Sequence, residues 1–277
     1  LTSIAAEPDE VLDTGYLATT PDHDNLVLDF VRGESAAYKA IAVANGGRVE
    51  HDADVGVHLT DLGLATPFGN TAHITRPVPE SATSRLVEAL RGFYDGRAGG
   101  PFLLFSAWPT PDLRPHGFTP VGHPPLMFRP TGGSAPTAPG LTVARVADPG
   151  GLADFERTMF DAYPVPEMLP WRQGSFLHAS VLDTQWQFFV GYEGDAPVAT
   201  AAAYVTDQIA MVELVSSRAE GRGKGYGAAI TAAATFAAPD RPAILIASDL
   251  GRNIYGRLGY LPLLRYTLWV GHRDQPA

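Results

Sequence analysis

The hydrophobic pattern of the second half of the chain changes period several times, and each change marks an element. Leu141–Val146 is a short β run. Gly151–Ala162 sets Leu152, Phe155, Met159 and Phe160 at helical spacing, and a second helix is expected over Trp171–Leu182. Three strands follow, Gln185–Tyr192, Val198–Val205 and Ile209–Ser216, bounded by turn residues such as Glu193-Gly194-Asp195. A glycine-rich turn, Gly221–Gly227, opens an Ala-rich helix that ends before Pro239. Ala243–Ala247 has the unbroken apolar character of a buried strand, Gly251–Leu258 is a short helix, and Leu264–Val270 is a last strand. The order β-α-α-β-β-β-α-β-α-β predicts an α+β domain around a mostly antiparallel sheet.

The first half carries a faint copy of this pattern. Leu103-Leu104-Phe105-Ser106 matches Leu245-Ile246-Ala247-Ser248, with Ser106 and Ser248 standing 142 residues apart. At the same offset Gly117-Phe118 matches Gly259-Tyr260, and the strand-like Asn70–Arg76 sits opposite Val212–Arg218. Between the halves, residues 131–140 are dense in Pro, Gly and small polar side chains and read as a linker. The expected organisation is therefore two like domains in tandem, 1–130 and 141–277.

Composition narrows the classes of function. The chain has 277 residues, 45 % of them hydrophobic and 18 % charged, which is enough to build packed cores and argues against disorder. Cysteine is absent, so disulfides, thiolate metal sites and a Cys nucleophile are excluded and the cytoplasm is the default compartment. No basic leader followed by an apolar run opens the chain, and its longest apolar stretch, Ala228–Ala238, is too short to span a bilayer. The net charge is −10 and no basic cluster occurs, which disfavours nucleic acid and anionic membranes as partners. His116 and His123 lie in a Pro/Gly-rich loop without a third ligand, so no metal is expected.

Candidate chemistry concentrates in Val212–Ala228. A strand runs into a turn with glycines at 221, 223, 225 and 227, and the turn opens a helix. Glycines leave backbone N–H groups unshielded, and the helix N-terminus adds partial positive charge. The segment is thus an anion cradle, with Arg222 and Lys224 beside it. A nucleotide P-loop would need Ser or Thr after Gly-Lys, where Gly225 stands. The dinucleotide fingerprint is met formally by Gly223-x-Gly225-x-x-Ala228 with Asp249 downstream. Its first glycine should follow the strand directly, and its fold needs a further run of βαβ units, for which fewer than 30 residues remain after Asp249.

Arg222-Gly-Lys-Gly225-Tyr-Gly227 instead matches the pattern Arg/Gln-x-x-Gly-x-Gly/Ala, and here the chain resembles the GNAT N-acetyltransferase superfamily. Downstream, Ala247-Ser-Asp-Leu-Gly251-Arg-Asn-Ile-Tyr255-Gly-Arg-Leu258-Gly259-Tyr260 resembles that family's second motif, with Ser248 in place of its usual Asn, Gly251 of its Ala and Tyr260 of its Phe. The resemblance covers 141–270. It implies an α+β fold with a mixed sheet, acetyl-CoA as co-substrate, and direct transfer of acetyl to an amine acceptor. It further implies that the backbone of Leu214, Val215 and Ser216 holds the pantetheine arm. The loop Arg222, Gly223, Lys224, Gly225, Tyr226 and Gly227 would hold the pyrophosphate, and Ser248 would meet the arm. Tyr255 would protonate the leaving thiolate.

A base is also needed, and Glu213, flanked in mid-strand by Val212 and Leu214, is the leading candidate, with Glu167 and His178 as weaker substitutes. Glu213 reads equally well as a solvent-facing residue of an alternating strand. In the first half, Glu80-Ser-Ala-Thr-Ser-Arg85 stands opposite the loop and Leu113 opposite Tyr255, while Pro109, Pro111 and Pro115 oppose a helix there. That half is expected to be a degenerate copy that binds no cofactor and walls the acceptor cleft. The acidic balance favours a small cationic amine as acceptor. The alternative is a non-catalytic CoA-binding regulatory or scaffolding protein, which would have no need of Tyr255. The oligomeric state stays open.

Overall fold

The computed structural model of the protein describes residues 25–163 and 165–274; the start of the chain lies outside them. In chain order the elements are α1 (Leu26–Ala44), β1 (Arg48–Asp52), β2 (Val57–Asp61), β3 (Asn70–Ile74), α2 (Thr83–Tyr94), β4 (Phe102–Ser106), β5 (Thr119–Gly122) and β6 (Pro125–Arg129). The second half continues with β7 (Leu141–Arg145), α3 (Pro149–Ala162), β8 (Trp186–Glu193), β9 (Ala196–Val205), β10 (Ala210–Ser217), α4 (Tyr226–Thr235), β11 (Ala243–Ile246), α5 (Asp249–Arg257), β12 (Leu261–Arg265) and β13 (Thr267–Gly271). From β1 to β6 and from β8 to β13 the strand order and the helix between the third and fourth strands are the same, so the repeat read from short matches is a repeat of architecture.

Two mixed sheets result, ordered β1-β2-β3-β4-β13-β5 and β12-β6-β11-β10-β9-β8-β7. Each has a single parallel pair, β3 with β4 and β10 with β11, and is otherwise antiparallel. The sheets do not divide at the 131–140 linker. Strand β6, from the first half, lies between β11 and β12 of the second sheet, and β13, from the end of the chain, lies between β4 and β5 of the first. The expected domain limits 1–130 and 141–277 are corrected accordingly: each half gives its last strand to the other. The reason the pattern hides this is chemical. Leu126-Met127-Phe128 and Leu268-Trp269-Val270 suit a central strand of either sheet, and local hydrophobicity does not say which.

Two further expectations are corrected. The strand predicted over Leu264–Val270 is two strands broken at the buried Tyr266, because the chain leaves one sheet there for the other. The helix predicted over Trp171–Leu182 is absent, replaced by irregular chain and a 3-10 turn, Ala179–Asp183. Its backbone donors go elsewhere: the buried Glu156 carboxylate of α3 accepts from Gly174 N (2.7 Å), Phe176 N (2.6 Å) and Leu177 N (3.1 Å). A carboxylate that takes three backbone N–H groups offers them an alternative to the helical ladder.

Helix α1 ties the halves together. Asn25 caps it, its Oδ1 accepting from Val27 N (3.0 Å) and Leu28 N (3.3 Å). Its small residues reflect burial on two sides. Phe30, Val31, Ala37 and Ile41 share one core with Phe155, Phe188 and Met211 of the second half. Gly33 abuts β10 so closely that a Cβ there would come within 2.7 Å of Met211 Sδ. The Trp186 indole donates to Ala37 O (3.1 Å), and Asn45 Nδ2 to Phe176 O (2.9 Å).

Beyond β13, the buried Arg273 guanidinium forks onto Asp61 of the first half (2.7 and 2.9 Å) and donates to Gly100 O (2.6 Å). A fragment comprising residues 141–277 therefore lacks an internal strand of its sheet and leaves β13 unpaired. It is expected to be insoluble or unfolded by circular dichroism, whereas the full chain melts in one transition; a soluble fragment with native far-UV signal and a cooperative melt would contradict the exchange.

Candidate active site

The glycine loop takes its shape from left-handed backbone. Gly223 and Gly225 have φ of +78° and +83°, and Gly225 caps α4, whose first intrahelical bond runs from Ala229 N to Gly225 O (3.1 Å). A Cβ at Gly223 would meet no atom within 4 Å, so the space above the loop is open. A Cβ at residue 227 would lie in ordinary contact with Ser217 Oγ, at 3.4 Å. Arg222 is exposed, with Nε reaching Ser217 O at 3.4 Å. Lys224 turns away from the loop, its Nζ 2.7 and 2.8 Å from the Glu193 carboxylate on β8. Tyr226 is buried and donates to the same carboxylate (2.7 Å), so its side chain anchors the helix rather than lining the loop.

Strand β10 is bulged just before this loop. Pairing with β9 shifts between Glu213 and Ser216, and Leu214 has φ +52°, the one non-glycine described residue in the left-handed region. Such a conformation is held in place only by its surroundings. Thr200 Oγ1 donates to Leu214 O (3.2 Å), Tyr163 Oη donates to Val215 O (2.9 Å), and the Ser216 and Thr200 hydroxyls bond at 2.7 Å. The peptide groups of 214 and 215 thereby leave the β9 ladder. On the other edge, β10 pairs with β11 only at Ala210 and Met211, so the two parallel strands part toward their carboxyl ends. A crevice at the carboxyl ends of parallel strands is the general place for ligands in such sheets.

Across that opening stands α5. Ser248 is its N-cap, with Oγ accepting from Gly251 N (3.1 Å), so in this structure the hydroxyl serves the helix. Tyr255 is 8 % exposed and its ring lies back over Gly251, where a Cβ would come within 2.6 Å of the ring and 3.0 Å of the hydroxyl. Glycine at 251 is thus what lets the phenol take this position. Burial first, and then the charge of Glu213, push the Tyr255 phenol up to about 12.

Glu213 is the centre of the cluster. Burial and, second, the carboxylate of Glu34 on α1 push its carboxyl up to about 8. It keeps partial access to solvent. Tyr163, raised by burial and then by Tyr255 and Glu213, joins the same group of side chains. So do Tyr38, raised by burial, Glu213, Glu34 and Tyr163, and Tyr266, raised by burial, Glu34 and Glu213. The structure therefore brings Glu213, Tyr255 and the bulge together. It leaves Glu167 exposed in a 3-10 turn and His178 exposed with Nδ1 bonded to Ser180 Oγ at 2.9 Å. Glu34, Tyr38, Tyr163 and Tyr266 escaped the sequence reading because each lies outside the motif windows, two of them in the other half.

Among its described residues the first half has no equivalent site. Opposite the loop, Glu80–Ala82 form a 3-10 turn leading into α2, and β3 pairs with β2 without a bulge. Opposite Tyr255, Leu113 is fully buried, and only a 3-10 turn, Arg114–His116, replaces α5. Among the described residues no group of His, Cys, Asp or Glu has the geometry of a metal site, and no helix is long and apolar enough to cross a membrane. Surface cavities of about 210 and 450 Å³ are lined respectively by the ends of α4 and α5 and by α1 with the β9–β10 turn; neither includes Glu213, Tyr255 or the loop.

No family model and no curated protein matches the sequence. Solved structures do match. A GCN5-related N-acetyltransferase from Kribbella flavida superposes with TM-score 0.63 at 19 % identity, covering 89 % of this chain and 95 % of that one. A functionally unknown conserved protein from Staphylococcus epidermidis gives 0.58 at 17 %, covering 82 % and 94 %. A GCN5-related N-acetyltransferase from Sphaerobacter thermophilus gives 0.53 at 15 %, covering 92 % and 97 %. The chain thus has the GNAT fold. Its two mixed sheets place two such units in tandem, and the match to the Kribbella protein runs through both.

The raised Glu213 carboxyl has a consequence for stability. Its folded value of about 8 lies above the ordinary 4.5, so the native state holds the proton longer and stability falls as pH rises between those values. Glu213→Gln is expected to flatten that fall. Urea unfolding at pH 5, 6.5 and 8 checks this, and equal pH slopes in the two proteins would refute the burial of an ionisable group here.

Proposed function

We propose that the protein is an N-acetyltransferase that moves acetyl from acetyl-CoA to a small, cationic amine. The observation that supports this best is the meeting of Glu213, Tyr255 and the bulged 214–215 backbone at the opening between β10 and β11. The residues fit the coenzyme. The open, positive-φ glycines 223 and 225 at the start of α4 suit a pyrophosphate, with Arg222 beside them. Lys224 joins on release from Glu193, and the bulged Leu214–Ser216 backbone suits the pantetheine amides. When bound, acetyl-CoA supplies the acetyl group as a thioester.

The residues then have distinct tasks. Glu213 takes a proton from the acceptor's ammonium nitrogen, and a carboxylate with an affinity near 8 is a far stronger base than an ordinary one. The freed amine attacks the acetyl carbonyl carbon; the N–C bond forms, the C–S bond breaks, and the nitrogen's surplus proton leaves to solvent, from which the Tyr255 phenol is restored after it has protonated the sulfur. Tyr255 Oη gives its proton to the departing sulfur, and burial keeps that phenol protonated at any working pH. Tyr163, fixed on Val215 O, holds the bulge in place. A cationic acceptor suits a centre with two carboxylates, Glu213 and Glu34, among tyrosines.

Thiol release from acetyl-CoA, measured against a panel of primary amines, tests the reading. Activity is expected to rise with pH to a plateau above about 8, as Glu213 ionises. Tyr255→Phe should leave acetyl-CoA affinity unchanged by calorimetry and lower turnover by about 10²–10⁴-fold. Gly225→Val should abolish coenzyme binding, because its φ of +83° excludes a β-branched residue. Binding of acetyl-CoA with no thiol release from any amine, and no effect of Tyr255→Phe, would favour a CoA-binding regulatory or scaffolding role instead.

A further inference from the structure

Glu34 is a buried acid to which the reaction above assigns no proton transfer. It is 2 % exposed, on α1 in line with Phe30, Ala37 and Ile41, which lie in the core shared by the two halves. Three features set it beside the reaction centre. Gly33 abuts Met211 on β10, and Met211 lies two residues before Glu213, on the same face of that strand. Tyr266, at the switch between β12 and β13, donates to Glu34 Oε2 at 3.2 Å. His73 of β3 places Nδ1 3.3 Å from the same oxygen.

The anchor is itself anchored. His73 is 1 % exposed, its Nε2 bonds Thr71 Oγ1 at 2.9 Å, and Thr71 Oγ1 bonds Thr60 Oγ1 at 2.8 Å. Its ring stacks on Phe105 at 5.0 Å, and Nδ1 has no well-aligned hydrogen bond of its own, so Glu34 is what it meets. At the repeat offset, Thr71 and His73 stand opposite Glu213 and Val215. The strand that carries the base and bulge in the second half carries, in the first, the brace for Glu34.

We propose that Glu34 is a positioning residue of the active centre, contributed by the half that has no coenzyme loop, and that it controls the proton on Glu213. This rests on the assignment of Glu213 as the base. Two acidic groups pressed together in a site poor in water do not both ionise easily, so a charged neighbour strengthens the hold of a carboxylate on its proton. The groups facing Glu213 are Glu34 and Tyr38 from α1, Tyr163 beyond α3, Tyr255 from α5 and Tyr266. Those facing Glu34 are Tyr38, His73, Tyr266 and Glu213. Among the facing groups of Glu213, Glu34 is the one carboxylate. A purely structural role, pinning α1 to β3, would instead leave the proton of Glu213 unaffected.

The test needs no acceptor. The carboxylic-acid C=O band of Glu213 is followed by infrared difference spectroscopy of the full chain from pH 5 to 10 and assigned by its loss in Glu213→Gln. Glu34→Gln is expected to move its midpoint down by at least about one unit, a tenfold loss of proton affinity. Glu34→Asp should stay within a few tenths of the native value. Tyr266→Phe, which keeps the shape of the core and removes one donor to Glu34, should move the midpoint the same way by less, and carries the test if Glu34→Gln fails to fold. An unmoved midpoint in folded Glu34→Gln, or in Tyr266→Phe where that is the folded variant, overturns the proposal. The reading of Glu213 as base is judged separately by turnover: if Glu213→Gln keeps the native pH–rate profile, that reading falls and this inference with it.

Discussion

The exchange of last strands is the constraint on which the rest of the structure depends. Strand β6 completes the second sheet and β13 the first, so neither sheet closes without chain from the other half. Loss of an internal strand unpairs backbone on two neighbours at once, and buried unpaired N–H and C=O groups are costly. The crossing also fixes where Tyr266 sits. The chain must leave β12 and enter β13 within one residue, and that residue is buried between the sheets with its hydroxyl on Glu34. The geometry of the cluster around Glu213 is in this sense a by-product of how the halves are joined.

A second constraint follows from the first. Once α1 is held between the sheets, Glu34 and Glu213 are brought to the same region, and each acid is removed from much of its water. A buried carboxyl group is costly without hydrogen-bonding partners, and Glu34 has His73 and Tyr266 on one oxygen. Glu213 is treated differently. The groups around it are tyrosines and another acid, none of which neutralises it, and its proton is correspondingly hard to remove. A site that stabilises one carboxylate and leaves its neighbour uncompensated is suited to proton transfer and poorly suited to mere packing.

Much of this was legible in the sequence because it is local. The strand runs of β8–β10 and β11, the glycine loop and the tyrosine three residues before Leu258-Gly259 are each fixed by neighbours along the chain, and the structure places them close to where the pattern does. What was not legible depends on partners far away in sequence. The destination of β6 and β13 is set by which sheet has a gap. The failed helix at 171–182 is set by Glu156, whose carboxylate reaches 18–21 residues ahead. The role of Glu34 required knowing that α1 of one half lies on β10 of the other. The side chain of Lys224 was read as facing the loop, and a single acid at the end of β8 holds it elsewhere.

The unequal fates of the two halves follow from the same geometry. A turn acts within its own unit: with Glu80–Ala82 in a 3-10 turn where the other half has its glycine loop, the first sheet still forms and α2 still packs, its Leu86, Leu90 and Phe93 in the local core. Proline can likewise break the helix opposite α5, because Leu113 remains buried without it. The exchanged strand admits no such latitude, since Leu126 packs in the core shared by α1 and the second half and Met127 in a core of the second half. Nor does β3, whose His73 and Thr71 lie behind Glu34. The first half thus differs from the second in the turns around its own opening and matches it in the strands that reach across, which is the division between its 3-10 turns and its intact strands.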